Sequence, residues 1–97
     1  MKTYISGPMT GIPDFNFPAF HAVAKKLRDN GVEVVNPAEL NPTGTSWGDC
    51  MRRDITELMT CHTILMLKGW QKSEGAKLER YIAERLWMGI VYEELVL

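Results

Sequence analysis

Short apolar runs of strand length alternate along the whole chain with longer segments in which apolar residues recur at helical spacing. That alternation is the pattern of βαβ units, and it restricts the fold to an α/β domain with a parallel sheet. A first strand is expected at Thr3–Ser6, cut off by Gly7-Pro8, followed by a Gly- and Pro-punctuated loop to Asn16. Asn16 is placed to cap a first helix, with Pro18 in the first turn, Phe17, Phe20, Ala24 and Leu27 on one face, and Asn30-Gly31 as the stop. A second strand, Val32–Val35, leads into a loop rich in Pro, Thr and Gly from Asn36 to Ser46. Ser46 is the next candidate cap, and the helix after it carries Trp47, Met51, Ile55, Leu58 and Met59 at helical spacing. The most apolar run, Thr63–Leu67, suits a central strand. After a polar loop, Gly69–Gly75, a third helix is expected from about Ala76 to Trp87 with Leu78, Ile82, Ala83 and Leu86 inward, then a fourth strand at Gly89–Tyr92.

Right-handed crossovers between such strands give a three-layer, doubly wound sheet of the flavodoxin or Rossmann-like kind, with four to five parallel strands in the order 2-1-3-4. A chain of 97 residues holds one core, so residues 1–97 form a single domain. Ligands of open α/β sheets bind beyond the carboxyl ends of the strands, at the switch point between the first and third. Three loops meet there: Gly7 to Asn16, Asn36 to Ser46, and Lys68 to Gly75.

Composition narrows the partners. A net charge of -1 lacks the basic excess that polymeric nucleic acid demands, so DNA and RNA are not expected ligands. No apolar run approaches the roughly 18 residues of a membrane span, and neither a signal peptide nor a lipidation motif is visible. The two cysteines, Cys50 and Cys61, read as reduced, buried thiols of a soluble cytoplasmic protein.

The loop Ser6-Gly7-Pro8-Met9-Thr10-Gly11 has glycines that admit a ligand close to the backbone and hydroxyls that bond a sugar or phosphate. It lacks the Gly-Lys-Ser/Thr ending of a P-loop and the three-glycine spacing of a dinucleotide fingerprint, which removes most support for ATPase and NAD-dehydrogenase readings. Two carboxylates stand against the helical pattern. Asp54 lies three residues after Met51 and four before Leu58, bordering the apolar stripe, and Glu79, four residues before Ala83 and seven before Leu86, borders the stripe of its own helix. A carboxylate on the core side of a helix costs several kcal/mol unless paired or hydrogen-bonded, and such sites mark function more often than stability. The alternative is that each reaches water or pairs with Arg52, Arg53, Lys77 or Arg80. Trp70 could offer a flat surface for a base or serve as a lid over the core, and Tyr4 either aims its phenol at the site or packs in the sheet. His21 and His62 have no partners at metal-ligand spacing, so no metal is expected.

With Tyr4-Ile5-Ser6-Gly7-Pro8, Arg53-Asp54, and Ser73-Glu74-Gly75-Ala76-Lys77-Leu78-Glu79 to Ala83, nearly the whole chain resembles the nucleoside 2-deoxyribosyltransferase superfamily. It is nearest to short phage and bacterial members and more distantly similar to deoxynucleoside monophosphate N-glycosidases. The resemblance implies that Glu79 is the nucleophile, attacking C1′ of a deoxyribose to expel the base and leave a covalent glycosyl-enzyme. It further implies that Asp54 contacts and protonates the leaving base and that Tyr4 orients Glu79. Ser6, Gly7, Pro8 and Thr10 would line the sugar or phosphate loop, with Trp70, Ser73 and Gly75 also in contact with substrate. The family's sugar-binding aspartate is Ser73 here, its motif threonine is Ala76, and the acidic residue expected before the third strand is His62. The chain ends at Leu97, before the segment by which a neighbouring subunit completes the site in full-length transferases.

These readings lead to an expected N-glycosidic cleavage or transfer on a deoxynucleoside or its 5′-monophosphate, with no cofactor and with the chain assembled as a homo-oligomer. The alternatives are a non-catalytic module that holds a nucleotide-like metabolite in the same pocket, and a purely structural or adaptor protein.

Overall fold

The computed structural model describes residues 1–41 and 46–96; the expected Pro-, Thr- and Gly-rich stretch 42–45 and Leu97 lie outside the described residues. Among the described residues four strands form one sheet: β1 (Lys2–Ser6), β2 (Glu33–Val35), β3 (Thr63–Met66) and β4 (Gly89–Tyr92). All neighbours are parallel, in the order β2-β1-β3-β4, as the βαβ alternation requires. The helices are α1 (Phe17–Asp29), α2 (Pro37–Leu40), α3 (Trp47–Leu58), α4 (Glu74–Arg85) and α5 (Glu93–Val96). Among the described residues no helix is long and apolar enough to cross a membrane.

Side chains alternate between the two faces of the sheet and so build two half-cores. Ile5, Val34, Leu65 and Leu67 pack against Phe20, Val23 and Ala24 of α1. On the opposite face Tyr4, Val35, Ile64 and Met66 pack against Leu58 of α3 and Ala76 and Ala83 of α4. Tyr4 and Ser6, two residues apart on β1, therefore face α4 together.

Local chemistry explains most boundaries. The Ser46 side chain accepts from the Asp49 N–H at 3.1 Å and starts α3, as its residue type predicts. Asn16 does not cap α1 with its side chain; it adopts a left-handed conformation (φ 60°), and its amide donates instead to the Pro8 carbonyl at 3.0 Å. The loop after β2 contains α2, whose four residues are too few to show a helical period; the Asn36 side chain caps it by accepting from the Ala38 N–H at 3.0 Å. A bidentate Arg28–Glu39 pair, with both contacts at 2.8 Å, fastens α2 to α1.

The inward face of α4 differs from the expected one. Ala76, Glu79 and Ala83 are buried, Ile82 is half-buried, whereas Leu78 and Leu86 are 39% and 54% exposed. Small alanines let the helix backbone approach the sheet closely, and that approach leaves the larger leucines outside. The helix also stops at Arg85, before the expected Trp87, because Trp87 turns left-handed (φ 61°) and the Met88 N–H bonds back to the Ala83 carbonyl at 3.0 Å.

Candidate functional site

A cavity of about 320 Å³ opens at the carboxyl ends of β1 and β3, between the first loop and the N-terminal halves of α3 and α4. This is the switch point of the strand order, where the connections leaving β1 and β3 pass to opposite faces, α1 on one and α4 on the other. Glu79 lies among the residues lining it, and its position follows from the helix start. The Ser73 hydroxyl accepts from the Ala76 N–H at 3.1 Å, which sets the phase of α4 so that Ala76 and Glu79 point at the sheet. The Tyr4 hydroxyl donates to Glu79 Oε2 and the Ser6 hydroxyl to Oε1, both at 2.6 Å. Each carboxylate oxygen is thus held by a different residue of one strand, which fixes its orientation.

Glu79 is 4% exposed and Asp54, which lines the same cavity from α3, is 7% exposed. Burial pushes the Glu79 carboxyl up to about 7; the hydroxyls of Ser6 and Tyr4 pull the other way, and the neighbouring Asp54 adds to the rise. Burial likewise raises Asp54, opposed by the Asn41 amide, which donates to its Oδ1 at 2.7 Å, and by the nearby Arg53 charge. Burial first, then the charges of Glu79 and Asp54, hold the Tyr4 phenol well above its ordinary range, so it stays a donor.

The basic residues that could have neutralised these carboxylates are engaged elsewhere. Arg80 bonds Tyr92 at 2.9 Å and Glu84 at 3.2 Å, Lys77 pairs with Glu74, and Arg52 with Asp49. Arg53 donates to the Leu40 carbonyl and to Asn41 Oδ1, both at 3.1 Å. Neither expected route to a solvated or ion-paired Glu79 is taken. A buried carboxyl that titrates near neutrality, held by two hydroxyl donors beside a second carboxyl, can serve as nucleophile or as acid and base.

Of the other candidates, Gly7, Thr10, Ser73 and Gly75 line the cavity, and Pro8 and Trp70 do not. Pro8 is buried, with its carbonyl accepting from Asn16. Trp70 packs against the core over Tyr92, ring centroids 5.9 Å apart, with the Arg80 guanidinium 5.1 Å from its ring. It is a lid on the core and offers no face to the cavity. Sequence reasoning did not single out Asn41, Phe15 or Cys50, all of which line the site. Asp14, Phe15 and Asn16 are consecutively left-handed (φ 54°, 53° and 60°), a conformation costing about 1–2 kcal/mol per residue, and no residue pattern announces it. Cys50 stands one turn before Asp54, a spacing that could have marked it. Among the described residues no cluster of three His, Cys, Asp or Glu side chains could hold a metal ion.

Gly7 has a steric reason to be glycine. A Cβ there would stand 2.7 Å from Leu67 Cβ, an atom fixed next to the backbone of a buried residue. Gly7→Ala is expected to destabilise the fold by about 1–3 kcal/mol and to displace the first loop, read as a lower urea midpoint at unchanged slope.

A family model described as "Domain of unknown function (DUF4406)" matches residues 1–92. No curated protein matches the chain.

Proposed function

We propose that this chain, which belongs to the DUF4406 family, cleaves or transfers the N-glycosidic bond of a deoxynucleoside or deoxynucleoside 5′-monophosphate, with Glu79 as nucleophile. The observation that carries this reading is the buried Glu79 carboxyl, gripped by Tyr4 and Ser6 inside a cavity that also contains Asp54. A volume of about 320 Å³ suits a nucleoside-sized ligand, and Phe17, Trp47 and Met51 supply apolar walls for a planar base.

In the proposed reaction a Glu79 oxygen forms a bond to C1′ while the C1′–N bond breaks, its electron pair leaving on the base. Asp54 gives its proton to the departing nitrogen. Water, or a second base, then attacks C1′ and loses a proton to Asp54, which releases the Glu79 carboxylate. The reactive form shares one proton between the two carboxyls, with Asp54 protonated and Glu79 ionised. The Tyr4 and Ser6 donors favour that distribution, the Asn41 donor and the Arg53 charge oppose it, and the apparent titrations belong to the pair. Ser73, which lines the cavity, would contact the sugar or phosphate.

The test is release of free base from a panel of deoxynucleosides and their 5′-monophosphates. Wild type is expected to release base and Glu79→Ala to lose at least about a thousandfold of that activity. Equal inactivity of both on every substrate would contradict the enzymatic reading. A nucleotide-dependent rise in melting temperature without base release would instead support a binding module, since a ligand at 100 times its dissociation constant adds about 2.7 kcal/mol.

Self-association and a reducing cytoplasmic setting belong to the same proposal. Leu78, Tyr81 and Leu86 of and just after α4, and the 95% exposed Trp87, leave apolar surface that a second copy would cover. Light scattering at micromolar concentration is expected to give at least twice the 11.0 kDa chain mass.

A further inference from the structure

Asn41 is held by contacts that leave its amide only one orientation. Its Nδ2 donates to Asp54 Oδ1 at 2.7 Å and to the Pro37 carbonyl at 3.2 Å, while its Oδ1 accepts from Arg53 Nη1 at 3.1 Å. Arg53 can only donate, so it fixes the carbonyl end of the amide toward itself and the N–H end toward Asp54. The guanidinium is itself tied to the Leu40 carbonyl at 3.1 Å, at the end of α2. The chain Arg53–Asn41–Asp54 therefore joins an exposed cation on α3 to a buried carboxyl one residue further along the same helix, by way of the segment after α2.

We infer that Asn41, locked by Arg53, is a positioning residue that confines the exchangeable proton of Asp54 to Oδ2 and sets how readily that proton leaves. An N–H donor on Oδ1 cannot accept a hydrogen bond, so a proton on Asp54 resides on the other oxygen. The inference rests on the proposed reaction for its catalytic meaning, because it determines which oxygen delivers the proton to the leaving base. Among the described residues the charge of Arg53 on α3 acts on Asp54, and Asp54 in turn acts on Cys50 of α3, Tyr4 of β1 and Glu79 of α4, which face it from the elements packed around it. Arg53 is the cation among them: its charge acts on Asp54 directly, and its hydrogen bond to Asn41 Oδ1 fixes the amide that donates to Asp54.

Carbon-detected NMR titration of the Asp54 carboxyl in the intact protein tests the inference, with base release followed across pH. In Asn41→Ala the Asp54 midpoint is expected to move up by about one pH unit, a tenfold change in proton affinity, and in Arg53→Met by a smaller step in the same direction. The pH–rate profile of Asn41→Ala is expected to move to higher pH, whereas a merely structural loss would lower the rate equally at every pH. A folded Asn41→Ala with an unchanged Asp54 midpoint overturns the inference. If Asn41→Ala does not fold, the near-isosteric Asn41→Leu, which keeps the Arg53 charge, decides: an upward shift supports the link and no shift overturns it. Shifted midpoints in a protein that releases no base from any nucleoside would leave the positioning role standing and remove the proposed reaction.

Discussion

Glu79→Gln is expected to make the protein more stable above neutral pH, with a melting temperature on the order of 10 °C higher at pH 8 and little change near pH 5. The carboxyl is raised from 4.5 to about 7 chiefly because burial disfavours its charged form. Between those pH values the folded state binds a proton that the unfolded state has released, so stability falls as pH rises through the window. A displacement of that size corresponds to about 3 kcal/mol at pH 8, and Asp54, also raised, acts in the same direction. Glutamine keeps the shape, accepts a hydroxyl hydrogen bond and carries no charge, so the variant is relieved of the penalty. Melts of wild type and variant at half-unit pH intervals should diverge from about pH 5 upward. Parallel curves would mean that the carboxyl does not titrate in this window. The same variant should be inactive in base release, a gain in stability coupled to loss of the nucleophile.

Removing both hydroxyls that hold the carboxyl should have the opposite electrostatic effect. In the double variant Tyr4→Phe, Ser6→Ala, Glu79 loses two donors at 2.6 Å and keeps its burial. Charge-assisted hydrogen bonds of this kind contribute about 1.5–3 kcal/mol each, so the Glu79 titration should rise by two pH units or more. At pH 7 the ionised nucleophile then becomes a minor species, and base release should fall about a hundredfold. Raising the pH should not restore the rate, because the reaction needs Asp54 to keep a proton while Glu79 is ionised, and the lost donors change how that proton is distributed within the pair. A double variant whose Glu79 titration stays at about 7 would show that the hydroxyls act on something other than the protonation of Glu79.

The stability and activity effects share an origin in how α4 meets the sheet, and that is also where sequence reading met its limit. Strand runs such as Thr63–Met66 and the Ser46 cap were legible because period, length and residue type act locally. The strand order followed from the handedness of crossovers, a rule that needs no side-chain detail. The phase of α4 was less legible: hydrophobicity ranks Leu78 and Leu86 above Ala76, yet close approach to the sheet selects the smaller residue. Glu79 and Asp54 could be picked out as misplaced carboxylates, and the resemblance implied that Tyr4 orients Glu79, but neither the Ser6 grip on its other oxygen nor the amide that grips Asp54 was legible. Asn41 looked like any polar loop residue, since its importance lies in contacts with Arg53 and Asp54 made across the fold. Trp70 shows the converse, an aromatic beside the site whose ring is drawn to Tyr92 and Arg80.

The most direct measurement is an NMR titration of the Glu79 carboxyl carbon in the unliganded protein, with Glu79→Gln identifying the resonance. A midpoint at about 7 is expected from a carboxyl sealed between Tyr4 and Ser6. A midpoint near the unperturbed 4.5 would mean that Glu79 is hydrated like any surface acid, and the chemistry proposed for it would have no foundation.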